Sequence, residues 1–93
     1  MYIAVCDDQA AALNALTGLL DTWRAERKVS FQYKTFRNAT ELLAAAEKEH
    51  FSLYLLDVMM PGTNGMAAAR EIRGFDTTAE IVFLTSSSVQ ILR

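Results

Sequence analysis

Three short apolar runs in this chain each end abruptly at polar residues of a chemically useful kind, with stretches of helical periodicity between them. Tyr2 to Cys6 runs into Asp7-Asp8, Phe51 to Leu56 runs into Asp57, and Ile81 to Leu84 runs into Thr85 and three serines. Runs of this length suit strands buried on both faces, as in a parallel sheet covered by helices. Strand and helix signals alternate from the first residue to the last. This order predicts an α/β fold with a parallel sheet and right-handed crossovers.

The intervening segments support that reading. From about Ala10, the residues Leu13, Leu16, Leu20 and Trp23 fall three and four apart on one helical face and are expected in the core, with Asp21, Arg24 and Arg27 mostly off it. Gly18 within this helix costs about 1 kcal/mol relative to alanine, so close packing is expected there, or a small penalty. Phe31, Tyr33 and Phe36, with the polar Gln32 and Lys34 among them, suit an edge strand. Asn38 followed by Glu41 is a capping-box pattern that opens an alanine-rich helix, and His50 is expected at that helix's end, where its dipole would favour it. Asn64 caps a third helix with Met66, Ala69 and Ile72 inward, stopped by Gly74. Val89 to Arg93 reads as the start of a further helix.

Ninety-three residues, 52% hydrophobic and 22% charged, make one domain (1–93) with no room for a second. A net charge of −2 offers no basic patch for nucleic-acid phosphates, so no nucleic acid is expected on this segment. No apolar run is long enough to span a bilayer, and the start lacks the pattern of a signal peptide, which points away from the membrane and to the cytoplasm. The single cysteine, Cys6, excludes an internal disulfide and is expected to be a buried, inert thiol.

In open α/β sheets, ligands bind outside the carboxyl ends of the strands, where strand order reverses. That geometry would gather Asp7, Asp8, Asp57 and Thr85. Three carboxylates in one crevice repel one another, and either a raised pKa or a divalent cation relieves the repulsion; hard oxygen ligands suit Mg2+ (or Mn2+). Beside such a cation Asp57 is a carboxylate nucleophile for phosphoryl transfer, with the Thr85 hydroxyl donating to a phosphoryl oxygen. Taken singly, Asp8 is an N-cap, Asp57 a turn residue before Pro61-Gly62, and Thr85 a cap for the next helix. Their conjunction in this order and spacing favours the functional reading. Gly62 and Gly65 are read as residues that shape the turn.

These segments resemble the receiver domain of two-component response regulators. Ile3-Ala4-Val5-Cys6-Asp7-Asp8-Gln9 is similar to its first strand and acidic pair, Leu55 through Gly65 to its phosphoacceptor strand and following loop, and Ile81 through Ser86 to its fourth strand with the switch hydroxyl. The wording is most similar to receivers joined to a LytTR-type DNA-binding domain. The resemblance implies a flavodoxin-like doubly wound sheet of strand order 2-1-3-4. It implies direct metal binding by Asp8, action of Asp7 mainly through water, a further ligand in the Met59 backbone carbonyl, and an active-site loop through Pro61 and Gly62. Asp57 would take a phosphoryl group from a sensor histidine kinase, and Thr85 would turn inward to meet it. The chain would be a kinase substrate rather than an enzyme, with at most self-phosphorylation from small phosphodonors and slow autodephosphorylation. DNA would be reached only through an output domain.

The family pattern continues through a fifth strand bearing a lysine and a fifth helix, roughly 30 further residues at typical element lengths. The lysines here are Lys28, Lys34 and Lys48, all before Asp57, so none matches it. The expectation is a shortened chain whose fourth strand is an exposed apolar edge, a liability that a second copy could cover by pairing as a homodimer. Two functional readings follow: a phosphoryl-accepting switch, or a truncated, receiver-like interaction module that does not switch. A metal-dependent phosphohydrolase is disfavoured because Met59 stands where a general acid would be wanted.

Overall fold

The computed structural model describes residues 1–60, 62 and 64–84, and residues 89–92 as backbone. The chain runs β1 (Tyr2–Cys6), α1 (Ala10–Arg27), β2 (Gln32–Phe36), α2 (Ala39–Lys48), β3 (Leu53–Asp57), α3 (Gly65–Phe75), β4 (Glu80–Leu84) and β5 (Val89–Leu92). The sheet order is β2-β1-β3-β4-β5. The first four strands are parallel, in the doubly wound 2-1-3-4 arrangement of a flavodoxin-like fold.

Alternation along the strands divides the core in two, because successive side chains leave a strand on opposite faces. Ala4, Cys6, Tyr54, Leu56, Ile81 and Phe83 face α2 and α3, which contribute Leu42, Ala46, Ala68, Ala69 and Ile72. Ile3, Val5 and Leu55 face the other way and meet Leu13 of α1, with Leu16, Leu20, Val82 and Leu84 partly buried around them. Both predicted caps form: Asn38 accepts from the Glu41 N–H at 2.8 Å, and Asn64 from the Ala67 N–H at 2.9 Å.

Several expectations are corrected. Val89–Leu92 is a strand, not a helix start, and it pairs antiparallel with β4 from Leu84↔Val89 to Ile81↔Leu92. Val89 and Ile91 are β-branched and alternate with Gln90, a period of two that suits a strand. β4 is therefore an interior strand, and the exposed edge that would have invited a homodimer is already paired within the chain.

Trp23 and Met66 are 41% and 39% exposed rather than core. The Trp23 ring lies on the rim of the α1 face, 5.4 Å from the Phe31 ring. A Cβ on Gly18 would meet nothing within 4 Å, so the glycine carries its propensity cost without close packing. α3 continues one residue past Gly74. His50 lies beyond the end of α2, and its Nδ1 is 3.4 Å from Asp76 Oδ2, so an acid rather than a helix dipole is its neighbour.

Candidate functional site

Strand register places the acids. Cys6 pairs with Leu56, so the next residues, Asp7 and Asp57, leave their strands side by side, and Asp57 pairs with Leu84 on its other flank. Asp8 follows in the turn from β1 to α1. One carboxylate oxygen from each of Asp7, Asp8 and Asp57 lies within 4.8 Å of the others. Asp7 and Asp57 line a cleft of about 480 Å³, whose lining also includes Gln9, Leu16, Met59 and Leu84.

The backbone around the acids is closely tied. The Asp7 N–H donates to the Phe36 carbonyl at 3.1 Å, and Asp7 Oδ1 accepts from the Gln9 N–H at 2.9 Å, turning the chain into α1. On the β3 side, Asp57 Oδ1 accepts from the Met59 N–H at 3.2 Å. Met60 is buried against Cys6, whose thiol donates to the Met60 sulfur at 3.6 Å. Gly62 takes φ +75°, the left-handed conformation that glycine adopts at no steric cost, in agreement with a turn-shaping role. Gly65 has a different reason to be glycine. A Cβ there would press on the Asp57 carbonyl oxygen and lie 3.2 Å from Val58 Cα, so the start of α3 is drawn directly onto the end of β3.

Burial pushes the Asp57 carboxyl above its ordinary value; the Met59 N–H pulls it back, while the charges of Asp7 and Asp8 and a hydrogen bond with Asp7 push it further up. Asp8 Oδ1 is buried with no hydrogen-bond partner among the described residues. An orphaned carboxylate oxygen facing two further carboxylates is costly unless something positive completes it. The donors are all oxygen and anionic, a set that fits a hard divalent cation. The Cys6 thiol is buried beneath this charge and pushed up to about 12, first by burial and then by Asp7, Asp57 and Asp8, so it is inert as expected.

Asp7, Asp8 and Asp57 are thus brought together, with the Met59 N–H on Asp57. Met59 is 79% exposed as a side chain, and the group it engages here is its N–H. Thr85 and Pro61 lie outside the described residues. Lys34 is turned away to Glu49 at 3.2 Å, Lys48 lines a second cavity beside His50, and Lys28 is the C-cap of α1. Sequence reasoning missed two contacts: the approach of Gly65 to Asp57, and the Arg37 guanidinium, which donates twice to the Asp8 carbonyl. Nothing local in the sequence signals either: the first depends on how tightly the loop from β3 folds back as α3 begins, and the second on where the loops after β1 and β2 meet.

A doubly wound sheet with an acidic crevice at its carboxyl edge defines the class. Residues 3–92 match the response regulator receiver domain, and the chain belongs to that family. It is 34% identical over 86 residues to the DNA-binding response regulator MtrA of Mycolicibacterium paratuberculosis, covering 92% of this chain and 35% of that protein. The chain therefore spans about a third of the length of that relative. Among solved structures it is similar to the response regulator TrrA from Thermotoga maritima in complex with Mg(2+)-BeF, with TM-score 0.80 and 29% identity over 91% of this chain and 69% of that one. It is also similar, with TM-score 0.79 and 30% identity over 94% and 70%, to the structure of histidine kinase ThkA in complex with TrrA. Among the described residues, no helix is long and apolar enough to cross a membrane.

Proposed function

We propose that this chain is the phosphoacceptor of a two-component response regulator, taking a phosphoryl group on Asp57 from a sensor histidine kinase in the cytoplasm. The observation that carries this is the meeting of Asp7, Asp8 and Asp57 within 4.8 Å, with one buried Asp8 oxygen left unpartnered among the described residues. Asp8 and Asp57 would hold Mg2+ directly, with Asp7 acting through water and the Met59 carbonyl as a further ligand. When bound, the cation offsets the carboxylates' mutual repulsion and the charge on the transferring group.

The chain's own residues do the rest. Asp57 presents an oxygen to phosphorus; the bond from phosphorus to the donor's nitrogen or oxygen breaks as the acyl phosphate forms. The Met59 N–H, 3.2 Å from Asp57 Oδ1, orients the carboxylate. Gly65 holds the loop close behind it. Thr85 is assigned the hydroxyl that meets the phosphoryl group, and the output is a shift between two states of one fold. The module accepts and passes on a signal and is not a multiple-turnover enzyme. Likeness to MtrA supports an output on DNA through another part of the protein, and a LytTR-type partner domain is the form that the sequence wording favours.

Incubation with acetyl phosphate and Mg2+ followed by intact-mass analysis tests the proposal. The parent is expected to gain one phosphoryl mass, and Asp57→Asn none. The observation that none of the three lysines is placed among the acids supports a second reading, a receiver-like interaction module that does not switch. A folded parent that binds Mg2+ but gains no mass would favour that module.

A further inference from the structure

Asp8 differs from the other acids in how its carboxylate is held. Asp7 Oδ1 accepts from Gln9 and Asp57 Oδ1 accepts from Met59, but the buried Asp8 Oδ1 has no hydrogen-bond partner among the described residues to orient it. What is fixed instead is the peptide unit on which Asp8 sits. Its carbonyl oxygen accepts from Arg37 Nη2 at 2.8 Å and from Arg37 Nε at 3.1 Å. The N–H of the same peptide, on Gln9, donates to Asp7 Oδ1 at 2.9 Å. Both polar ends of one peptide are therefore clamped, and the Arg37 clamp crosses 29 residues of sequence.

Arg37 is itself well anchored. It follows Phe36, which is buried and whose carbonyl accepts from the Asp7 N–H at 3.1 Å. It precedes Asn38, which caps α2 by accepting from the Glu41 N–H. The backbone is thus fixed on both sides of it, and a guanidinium fork brings two donors in a set geometry. Its hydrogen bonds go to a carbonyl, which leaves the three carboxylates available to a cation.

We propose that Arg37 is a positioning residue of the acidic pocket: by gripping the Asp8 carbonyl it sets the direction of the Asp8 carboxylate toward the cation site. The inference rests on the metal-binding reading above. It separates from a merely electrostatic role by sign. A positive charge beside the pocket repels Mg2+, so if charge were all that mattered, its removal would tighten binding. Loss of a group that orients a ligand weakens metal affinity, by about tenfold or more for such supporting contacts.

The test is calorimetric titration of Mg2+ into the parent chain, Arg37→Ala and Arg37→Lys, with thermal melts of the metal-free proteins beside it. Arg37→Ala is expected to weaken Mg2+ binding about tenfold. Arg37→Lys keeps the charge but replaces the fork by a single ammonium, and is expected to recover only part of the affinity. Equal or tighter binding by folded Arg37→Ala overturns the proposal while leaving the phosphoacceptor reading intact. If Arg37→Ala fails to fold, Arg37→Lys decides: weaker binding at an unchanged melting temperature supports positioning, and unchanged affinity overturns it. A folded parent that binds no Mg2+ overturns both readings together.

Discussion

The two ends of the sheet use aspartate in opposite ways. At the carboxyl end, Asp7, Asp8 and Asp57 crowd together and Asp8 keeps a buried oxygen without a partner among the described residues. At the amino end, in the turn from α3 into β4, Asp76 Oδ1 accepts from the Thr78 N–H at 2.9 Å, the Thr78 hydroxyl at 3.0 Å and the Ala79 N–H at 3.0 Å, while Oδ2 faces His50. Its own N–H closes α3 on the Ile72 carbonyl at 2.8 Å. One end is saturated with bonds and holds the fold; the other is left short of positive partners and suits a ligand. A fold that binds a cation accepts this local deficit, because satisfying the acids internally would fill the site.

The largest expected effect is at the saturated end. Asp76→Ala removes a charged, largely shielded acceptor from three donors in an otherwise exposed turn, and about 3 kcal/mol of stability should be lost. Urea unfolding measures this as a lower midpoint with an unchanged slope. A loss well under about 1 kcal/mol would erase the contrast between the two ends.

Next is Gly65→Ala, which probes the other end through its backbone. The added methyl would press on the Asp57 carbonyl, so the start of α3 must move away from β3, at a cost of about 2 kcal/mol. Because the same movement displaces the loop behind Asp57, phosphorylation by acetyl phosphate should slow in protein that is still folded. A variant as stable and as readily phosphorylated as the parent would show that the close approach is not needed.

Much of this was legible in the sequence because it is local. The strands that end at Cys6, Asp57 and Leu84, and the caps at Asn38 and Asn64, rest on runs and short offsets that physics reads without tertiary context. Asp76 could have been found too: an acid followed by Thr77-Thr78 just after a helix is the pattern of a side chain folding back on its own backbone. Other features were out of reach. Whether Val89, Ile91 and Leu92 extend or coil depends on an available edge at β4, since an alternation of only four residues suits a strand but is too short to decide without it. Trp23 and Met66 sit at the margin of their helical faces, where exposure is set by how far the opposing strands reach. Arg37 finds Asp8 only because the turns after β1 and β2 lie side by side in the sheet, a consequence of topology rather than spacing.

The smallest expected effect is the most discriminating, because the two ends should respond to pH in opposite directions. At Asp76, burial favours the neutral acid, but the bonds from Thr78 and Ala79 and the nearby His50 outweigh it and hold the carboxyl below its ordinary range. Its contribution to stability is present above that range and lost as pH falls through the lowered value. Asp57 is the reverse. Burial raises its carboxyl, so the folded chain holds the proton more tightly than the unfolded chain, and the contribution present at low pH is lost as pH rises through the raised value. In metal-free protein at neutral pH, Asp57→Asn should therefore melt above the parent and Asp76→Asn below it, with both differences shrinking toward acid. Added Mg2+ should stabilise the parent and narrow the Asp57→Asn gap, since a cation bound only to the folded state favours it by mass action. Thermal melts of the three proteins from about pH 3 to about pH 8, with and without Mg2+, bracket both carboxyls. Difference curves of the same sign would mean that the acids at the carboxyl end are as well satisfied as Asp76, and that the crevice is part of the scaffold rather than a site.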